Sequence, residues 1–157
     1  MFRLRLGANL GALRIGRGRG LREVRLRPGS DRQLLALERD PELAGTRNEE
    51  GLSPVLCALD NGRDDLVDPI LAANPPLDVF DAAAVGRTRG LEELLEGEPG
   101  LARTRRADGS TALHLAARFD QKRAVELLLE RGADRTAVDA QGRTPADLAG
   151  EQTRELL

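Results

Sequence analysis

The sequence predicts an all-α fold, a helix-turn-helix solenoid of about four stacked repeats that follows an irregular Arg/Gly-rich N-terminal arm. The chain matches itself at offsets of 33 and 58 residues, and periods of this size are typical of repeat proteins. Within a repeat, apolar residues recur at i, i+3 and i+4, as Leu113, Ala116 and Ala117 do, which gives a short helix one apolar face. Because a lone pair of short helices cannot bury such a face, neighbouring repeats must stack.

Residues 1–30, which we call the arm, differ from the rest of the chain in charge. They carry eight arginines and one acid, for a net charge of +7, whereas residues 31–157 carry −9. The arm is expected to be poorly ordered, since a helix over about 21–27 would place three arginines among its apolar residues. Three roles stay open: a tail whose arginines contact nucleic-acid phosphates, an organelle transit peptide, or an extension without a dedicated function.

The first repeats depart from the regular period. Residues 34–51 form half a unit, and the unit at 53–77 reaches the next first helix after 25 residues rather than 33. The connection contains a Pro-Pro dipeptide, so we expect the projecting turn of the other repeats to be missing there. Pro69 falls inside the second helix of this unit, where it would remove a backbone hydrogen bond unless the helix begins near Asp68.

The later repeats are more regular. The repeat at 108–134 has two apolar helical stripes, and Gly132 follows the second stripe where a left-handed helix C-cap would lie. The last unit is cut short, and its residues from Glu151 to Leu157 resemble the polar cap that the open end of a solenoid requires.

Three segments resemble the ankyrin repeat, whose period is 33 residues and whose signature is T-P-L-H-x-A. They are DGSTALHLAA at 108–117, VELLLERGAD at 125–134 and QGRTPADLA at 141–149. With lower fidelity the resemblance extends over residues 31–157, which we interpret as one ankyrin repeat domain, and it does not include the arm.

The resemblance implies a non-enzymatic protein that binds a partner protein, as yet unidentified, through its repeat turns and the concave face of its first helices. Phe119 is the strongest contact residue, because a large aromatic side chain beside Arg118 has no obvious role in the core. A nucleic-acid-associated protein that acts through the arm is the alternative. Carried over position by position, the resemblance gives these protein-binding residues: Ala107, Asp108, Ser110, Arg118, Phe119, Arg131, Ala140, Gln141 and Arg143.

Few side chains are candidates for chemistry. His114, the only histidine, occupies the histidine position of the ankyrin signature, and we expect it to hydrogen-bond with Thr111 and the neighbouring turn rather than act as a base. Cys57 aligns with a core position of a first helix, so we expect a buried thiol. Neighbouring carboxylates such as Asp64 and Asp65 point apart on a helix and are expected to be solvated caps. We therefore expect no catalytic, cofactor or metal site.

Composition adds to this interpretation. With three Phe and no Tyr or Trp, the chain lacks the aromatic residues that usually line cofactor pockets or stack on bases. The longest apolar stretch is about six residues, against roughly 20 for a membrane span, and arginines interrupt any secretory signal pattern near the start. A single cysteine fits a reducing compartment. We expect a cytoplasmic protein that does not contact membranes and is a monomer.

Overall fold

The computed structural model describes residues 12–15, 22–25, 44–48 and 51–157, and it divides the chain into two units, Met1–Pro75 and Pro76–Leu157. The prediction that the arm is poorly ordered lies mostly outside the described residues, as does most of the half unit predicted at 34–51.

Two short strands form the part of the arm that is described. Strand β1 (Ala12–Ile15) and strand β2 (Arg22–Arg25) pair antiparallel, with Leu13 opposite Val24. Residues 22–25 are therefore extended and not helical, although the arm as a whole is expected to be poorly ordered. A strand needs an apolar residue only at alternate positions, whereas a helix here would have placed arginines along its apolar face.

The first helix of the unit Met1–Pro75 begins at a hydroxyl cap. Helix α1 (Pro54–Asp60) starts where the Ser53 hydroxyl accepts a hydrogen bond from the Leu56 N–H at 3.2 Å. Cys57 lies in α1 and is fully buried, which confirms its predicted core position.

The second helix of this unit contains a proline. Helix α2 (Asp64–Ala72) begins before Asp68, so Pro69 lies in the middle of the helix and cannot donate a backbone hydrogen bond there. Pro69 is exposed to solvent. Water can therefore hydrogen-bond to the carbonyl that the missing N–H would have paired, which lowers the energetic penalty of the proline.

The unit Pro76–Leu157 consists of short helices in pairs. Its helices α3 and α5 are first helices, and α4 and α6 are the second helices that follow them. In chain order the elements are α3 (Val79–Ala84), α4 (Thr88–Gly97), a 3-10 helix (Pro99–Arg103), α5 (Ala112–Arg118), α6 (Lys122–Glu130), α7 (Pro145–Leu148) and a second 3-10 helix (Arg154–Leu156).

Like helices pack side by side in this unit. Helix α5 lies between α3 and α7, and α4 packs against α6. The first helices approach closely because their buried positions are mostly alanine, as at Ala83 and Ala116, which are fully buried. The second helices supply the larger side chains of the same core. The core residues are Val79, Ala82, Ala83, Leu91, Leu95, Ala102, Ala112, Leu113, Ala116, Ala124, Val125 and Leu128.

Two local arrangements recur at the helix N-termini of successive repeats, one at the first helices and the other at the second helices. Each of the first helices α3, α5 and α7 starts with a capping box, in which the side chain before the helix and the side chain three residues later each accept a backbone hydrogen bond. The second helices α2, α4 and α6 lack a side-chain cap and instead follow a residue with positive φ. The capping pairs are Asp78 with Asp81, Thr111 with His114, and Thr144 with Asp147.

These elements confirm the predicted all-α solenoid class. In the described part of the chain the predicted units are three helix pairs, α1/α2, α3/α4 and α5/α6, and a last unit reduced to α7. Only residues 73–78 connect α2 to α3, so the projecting turn is missing there, as predicted. Among the described residues no helix is both long and apolar enough to cross a bilayer.

Candidate functional site

One tight turn occurs twice in full among the described residues, and Asn48, Gly51 and Leu52 repeat its closing bond and its glycine. It is closed by a backbone hydrogen bond from its first residue to the carbonyl of its fifth, and its fourth residue is a glycine with φ of 75° or 76°. Glycine adopts this left-handed conformation without steric cost, so the recurrence of glycine at offsets 58 and 33 identifies the repeated turn. The closing bonds run from Asn48 to Leu52 at 3.0 Å, from Arg106 to Ser110 at 2.9 Å and from Asp139 to Arg143 at 2.9 Å.

The last two of these turns pack directly on each other. The Ala140 N–H donates to the Asp108 carbonyl at 2.9 Å, and the Arg105 guanidinium donates to the Val138 carbonyl at 2.7 Å. A Cβ atom at Gly109 would lie 3.0 Å from the Ala140 nitrogen, so a side chain there would push the turns apart. The two turns, residues 106–110 and 139–143, are therefore joined by hydrogen bonds into one ridge, which we call the turn ridge.

His114 ties this ridge to helix α5. It is fully buried, and its Nδ1 accepts a hydrogen bond from the Thr111 backbone N–H at 3.1 Å and lies 2.8 Å from the Thr111 hydroxyl oxygen. Its Nε2 lies 3.1 Å from the Arg143 carbonyl oxygen. Because a carbonyl only accepts, Nε2 carries the ring proton and donates it to Arg143. The predicted structural role of His114, with Thr111 and the neighbouring turn as partners, is confirmed.

Asp139 organises the last turn from inside. Its side chain is 2% exposed, and its Oδ1 accepts the backbone N–H groups of Gln141 and Arg143, each at 2.9 Å. Its Oδ2 accepts the Arg143 Nε–H at 2.8 Å. Burial by itself would raise the pKa of Asp139, but the hydrogen bonds from Arg143 and Gln141 and the Arg143 charge outweigh burial and hold this pKa below its ordinary value.

We expect Asp139→Asn to reduce the acid sensitivity of folding. A carboxyl whose pKa is lower in the folded than in the unfolded state stabilises the fold above the unfolded pKa of about 3.9, and this contribution is lost as pH falls through the folded pKa. Urea unfolding at several pH values from neutral to about pH 3 measures it. The variant should be less stable than wild type at neutral pH and should lose less stability on acidification. Equal losses in both proteins would contradict the role given to Asp139.

Several predicted binding residues are held by contacts within the chain. Ser110 is only 6% exposed, and its hydroxyl donates to the Asp108 carboxylate, so the expectation of an exposed contact at Ser110 is wrong. Arg131 is partly buried, with its Nη2 atom 3.4 Å from a Glu92 carboxylate oxygen and 3.6 Å from one of Glu96. It therefore bridges the end of α6 to α4.

The turn tips keep exposed surface in spite of their internal hydrogen bonds. Asp108 accepts a hydrogen bond from the Ser110 N–H at 3.0 Å. Burial by itself would raise the pKa of Asp108, but hydrogen bonds from Ser110 and the Arg106 charge hold that pKa below its ordinary value. Gln141 and Arg143 are exposed and hydrogen-bond to each other, with the Arg143 guanidinium donating to the Gln141 side-chain oxygen at 3.0 Å. The tips thus present ordered polar groups to solvent.

Arg118 and Phe119 lie together at the C-terminal end of α5. The Arg118 guanidinium carbon is 5.2 Å from the centre of the Phe119 ring, which is within cation–π range. Arg118 is exposed, and Phe119 is half-buried and does not belong to the core cluster of this unit. The structure therefore brings these two predicted residues together on the surface.

Sequence patterns did not reveal two further surface features. Val138 is 46% exposed, and it is the only large hydrophobic side chain with such exposure in the described part of the chain. Arg106 lies over the Phe80 ring, 5.9 Å from its centre. Neither feature has a signal in the repeat period, because surface positions of a repeat vary without affecting its stacking. Among the described residues, no three acidic, histidine or cysteine side chains come together to hold a metal ion.

Comparison with known proteins identifies similar repeats. Residues 79–156 match the family model for ankyrin repeats in three copies. The chain is 49% identical over 47 residues to ankyrin repeat and SOCS box protein 11 of Danio rerio, which covers 30% of this chain and 16% of that protein. It is 33% identical over 104 residues to neurogenic locus notch homolog protein 4 of Homo sapiens, which covers 66% of this chain and 5% of that protein. The chain thus spans only a small part of these relatives.

Proposed function

The chain belongs to the ankyrin repeat family, and on that premise we propose that it is a non-enzymatic module that binds a partner protein through the end of α5 and the turn ridge. Ankyrin repeats are generally protein–protein interaction modules, and stacked repeats form extended surfaces suited to that role. The pair of Arg118 and Phe119 is the observation that favours this particular surface.

The Arg118–Phe119 pair has the composition of a binding hot spot. Arginine and aromatic residues are enriched among the side chains that contribute most to protein–protein binding. Phe119 is half-buried outside the core, so a partner side chain could cover the rest of its ring without a rearrangement of the fold. The guanidinium over the ring would then attract a carboxylate of the partner. The chemistry favours a partner segment with an apolar side chain next to an acidic one.

The turn tips would form the polar rim of this surface. Asp108, Gln141 and Arg143 are exposed, and each is fixed by hydrogen bonds within its own turn. Groups that are already ordered lose little conformational entropy when a partner binds. Ser110 and Arg131 are left out of the proposed surface because burial and the ion pairs with α4 occupy them.

The side chains that could carry out chemistry are already engaged in contacts within the chain, and this supports a non-enzymatic protein. The two ring nitrogens of His114 contact Thr111 and Arg143, and the Asp139 carboxylate is filled by donors from its own turn. Neither group is placed to exchange a proton with a substrate. The buried Cys57 thiol lacks the exposure that a nucleophile needs.

We further propose a monomer in the cytoplasm. The small exposed apolar area, with Val138 alone strongly exposed in the described part of the chain, favours a monomer. A single buried thiol suits a reducing compartment.

Affinity capture from a native host lysate tests the proposed function. The baits are the full chain and residues 31–157, each with and without nuclease treatment. We expect one discrete protein to bind both baits and to survive nuclease. Recovery that requires the arm, falls steeply with salt and disappears with nuclease would instead support nucleic-acid binding through the eight arginines of residues 1–30.

A further inference from the structure

The last unit ends its first helix early. Helix α7 (Pro145–Leu148) has four residues where α5 has seven, and Ala149 follows with an extended backbone, φ −62° and ψ 132°. The chain then turns toward the end of α5, where the Gly150 N–H donates to the Ala117 carbonyl at 3.2 Å. We call residues 149–157 the strap.

Asp120, which follows the end of α5, contacts the strap. It has φ of 55°, a conformation that side chains other than Asn and Asp rarely adopt. Gly62 and Gly86 take the same conformation at the same place in the two preceding helix pairs. In all three pairs the next N–H reaches back five residues: Arg63 to Ala58 at 2.8 Å, Arg87 to Ala82 at 3.0 Å and Gln121 to Ala116 at 2.8 Å. The third pair thus has a carboxylate where the others have glycine.

The Asp120 carboxylate binds the backbone of the strap. Its Oδ1 accepts the N–H groups of Gln152 at 3.1 Å and of Thr153 at 3.0 Å, and the Thr153 hydroxyl lies 2.9 Å from the same oxygen. Thr153 is fully buried, although it is polar. One carboxylate therefore satisfies most of the polar groups that the strap brings to the end of α5.

Gly150 leaves room for this carboxylate. A Cβ atom at Gly150 would lie 2.5 Å from the Asp120 Cγ and 2.8 Å from its Cβ, which is closer than such atoms can approach. Its φ is not positive, so an alanine would meet no backbone strain there. The three atoms nearest to such a Cβ all belong to the side chain of Asp120.

Besides Asp120, the Ala117 carbonyl attaches the strap to α5, since it accepts hydrogen bonds from the Gly150 N–H at 3.2 Å and from the Thr153 hydroxyl at 3.3 Å. Its apolar contacts are Leu156 and Leu157, which are partly buried against the core, while the core itself is built from residues of α3 to α6 and the 3-10 helix between α4 and α5. A segment with few apolar contacts and concentrated polar ones opens more readily than the core it covers.

We propose that Asp120 is the anchor of a latch that holds the strap closed over the end of α5, and that the strap opens as a unit while α3 to α6 stay folded. The Asp120 carboxylate closes the latch by accepting the N–H groups of Gln152 and Thr153. The absence of a side chain at Gly150 leaves the space that this carboxylate needs. Opening removes Leu156 and Leu157 from the core and exposes the apolar side chains beneath them. The latch is thus a conformational device at the C-terminal end of the described repeats.

Hydrogen–deuterium exchange of the full chain tests the latch with the variant Asp120→Gly. Glycine keeps the left-handed backbone, as at Gly62 and Gly86, and removes the side chain that carries the carboxylate. We expect amides 150–157 to exchange about tenfold faster or more, and amides of α4 and α6 to keep their wild-type rates. The control is Asp134→Gly, since the Asp134 carboxylate accepts hydrogen bonds from the N–H and the hydroxyl of nearby Thr136 in a different turn. This variant should leave the strap protected.

A double-mutant cycle tests the contact itself. Gly150→Ala should speed exchange of the strap when Asp120 is present, and it should add less than about twofold when position 120 is glycine. An unchanged strap in Asp120→Gly overturns the proposal. So does an equal rise in exchange through α3 to α6, or an effect of Gly150→Ala that is the same in both backgrounds.

Discussion

Replacement of His114 by alanine will lower the free energy of unfolding by about 1–3 kcal/mol, because it leaves buried hydrogen-bonding groups of Thr111 and Arg143 without partners. The cavity left by the ring adds to this loss, since His114 is fully buried. The substitution removes two interactions, the hydrogen bond that caps α5 at Thr111 and the hydrogen bond from α5 to the turn ridge at Arg143. Urea unfolding followed by circular dichroism measures it.

One further variant separates these two interactions, and a second serves as a control. In His114→Asn the amide oxygen can still accept the Thr111 N–H, but the side chain is too short to reach Arg143, so we expect part of the stability to return. Arg123→Ala, at an exposed position on α6, should change the free energy of unfolding by less than about 0.5 kcal/mol. If His114→Ala unfolds at the wild-type urea concentration, the structural role of the histidine is wrong.

The double substitution Arg118→Ala/Phe119→Ala will weaken binding of the captured protein by about tenfold or more. The guanidinium and the ring lie in contact on the surface, so the substitution removes the proposed anchor and its charge together. Neither residue belongs to the core cluster, and we expect little change in thermal unfolding. Titration of the purified partner by calorimetry, beside a thermal melt of each protein, measures both quantities.

A pair on a second helix provides the matched control for this binding prediction. Arg123→Ala/Glu126→Ala also removes two exposed side chains, one of them an arginine, but from α6. We expect the affinity of this variant to stay within about twofold of wild type. Equal losses in both variants would mean that the partner does not use the end of α5.

Much of the fold is predictable because the signals that form it are local and repeated. The glycine at the fourth position of each turn recurs at the repeat offsets. The capping pairs of the first helices also recur, as Asp-x-x-Asp at α3, Thr-x-x-His at α5 and Thr-x-x-Asp at α7. The role of His114 follows from the same pattern, since its partner Thr111 is three residues away. Pro75 and Pro76 likewise leave too few residues for a turn before α3.

The rest depends on contacts between positions far apart in sequence. Ser110 sits at a turn tip in sequence, but it is buried in the folded chain. Arg131 pairs with Glu92, which is 39 residues away in the neighbouring second helix. Asp120 looks like any solvated acid until the strap, 32 residues later, folds onto it. No periodic pattern encodes such pairs, because each occurs once.

Exchange footprinting of the full chain with and without the captured protein tests the proposed binding surface most directly. We expect slower exchange on binding at the turn tips, residues 106–110 and 139–143, and at residues 118–121, with unchanged rates in α4 and α6. Protection confined to α4 and α6, or found only outside residues 76–157, would contradict the proposed surface.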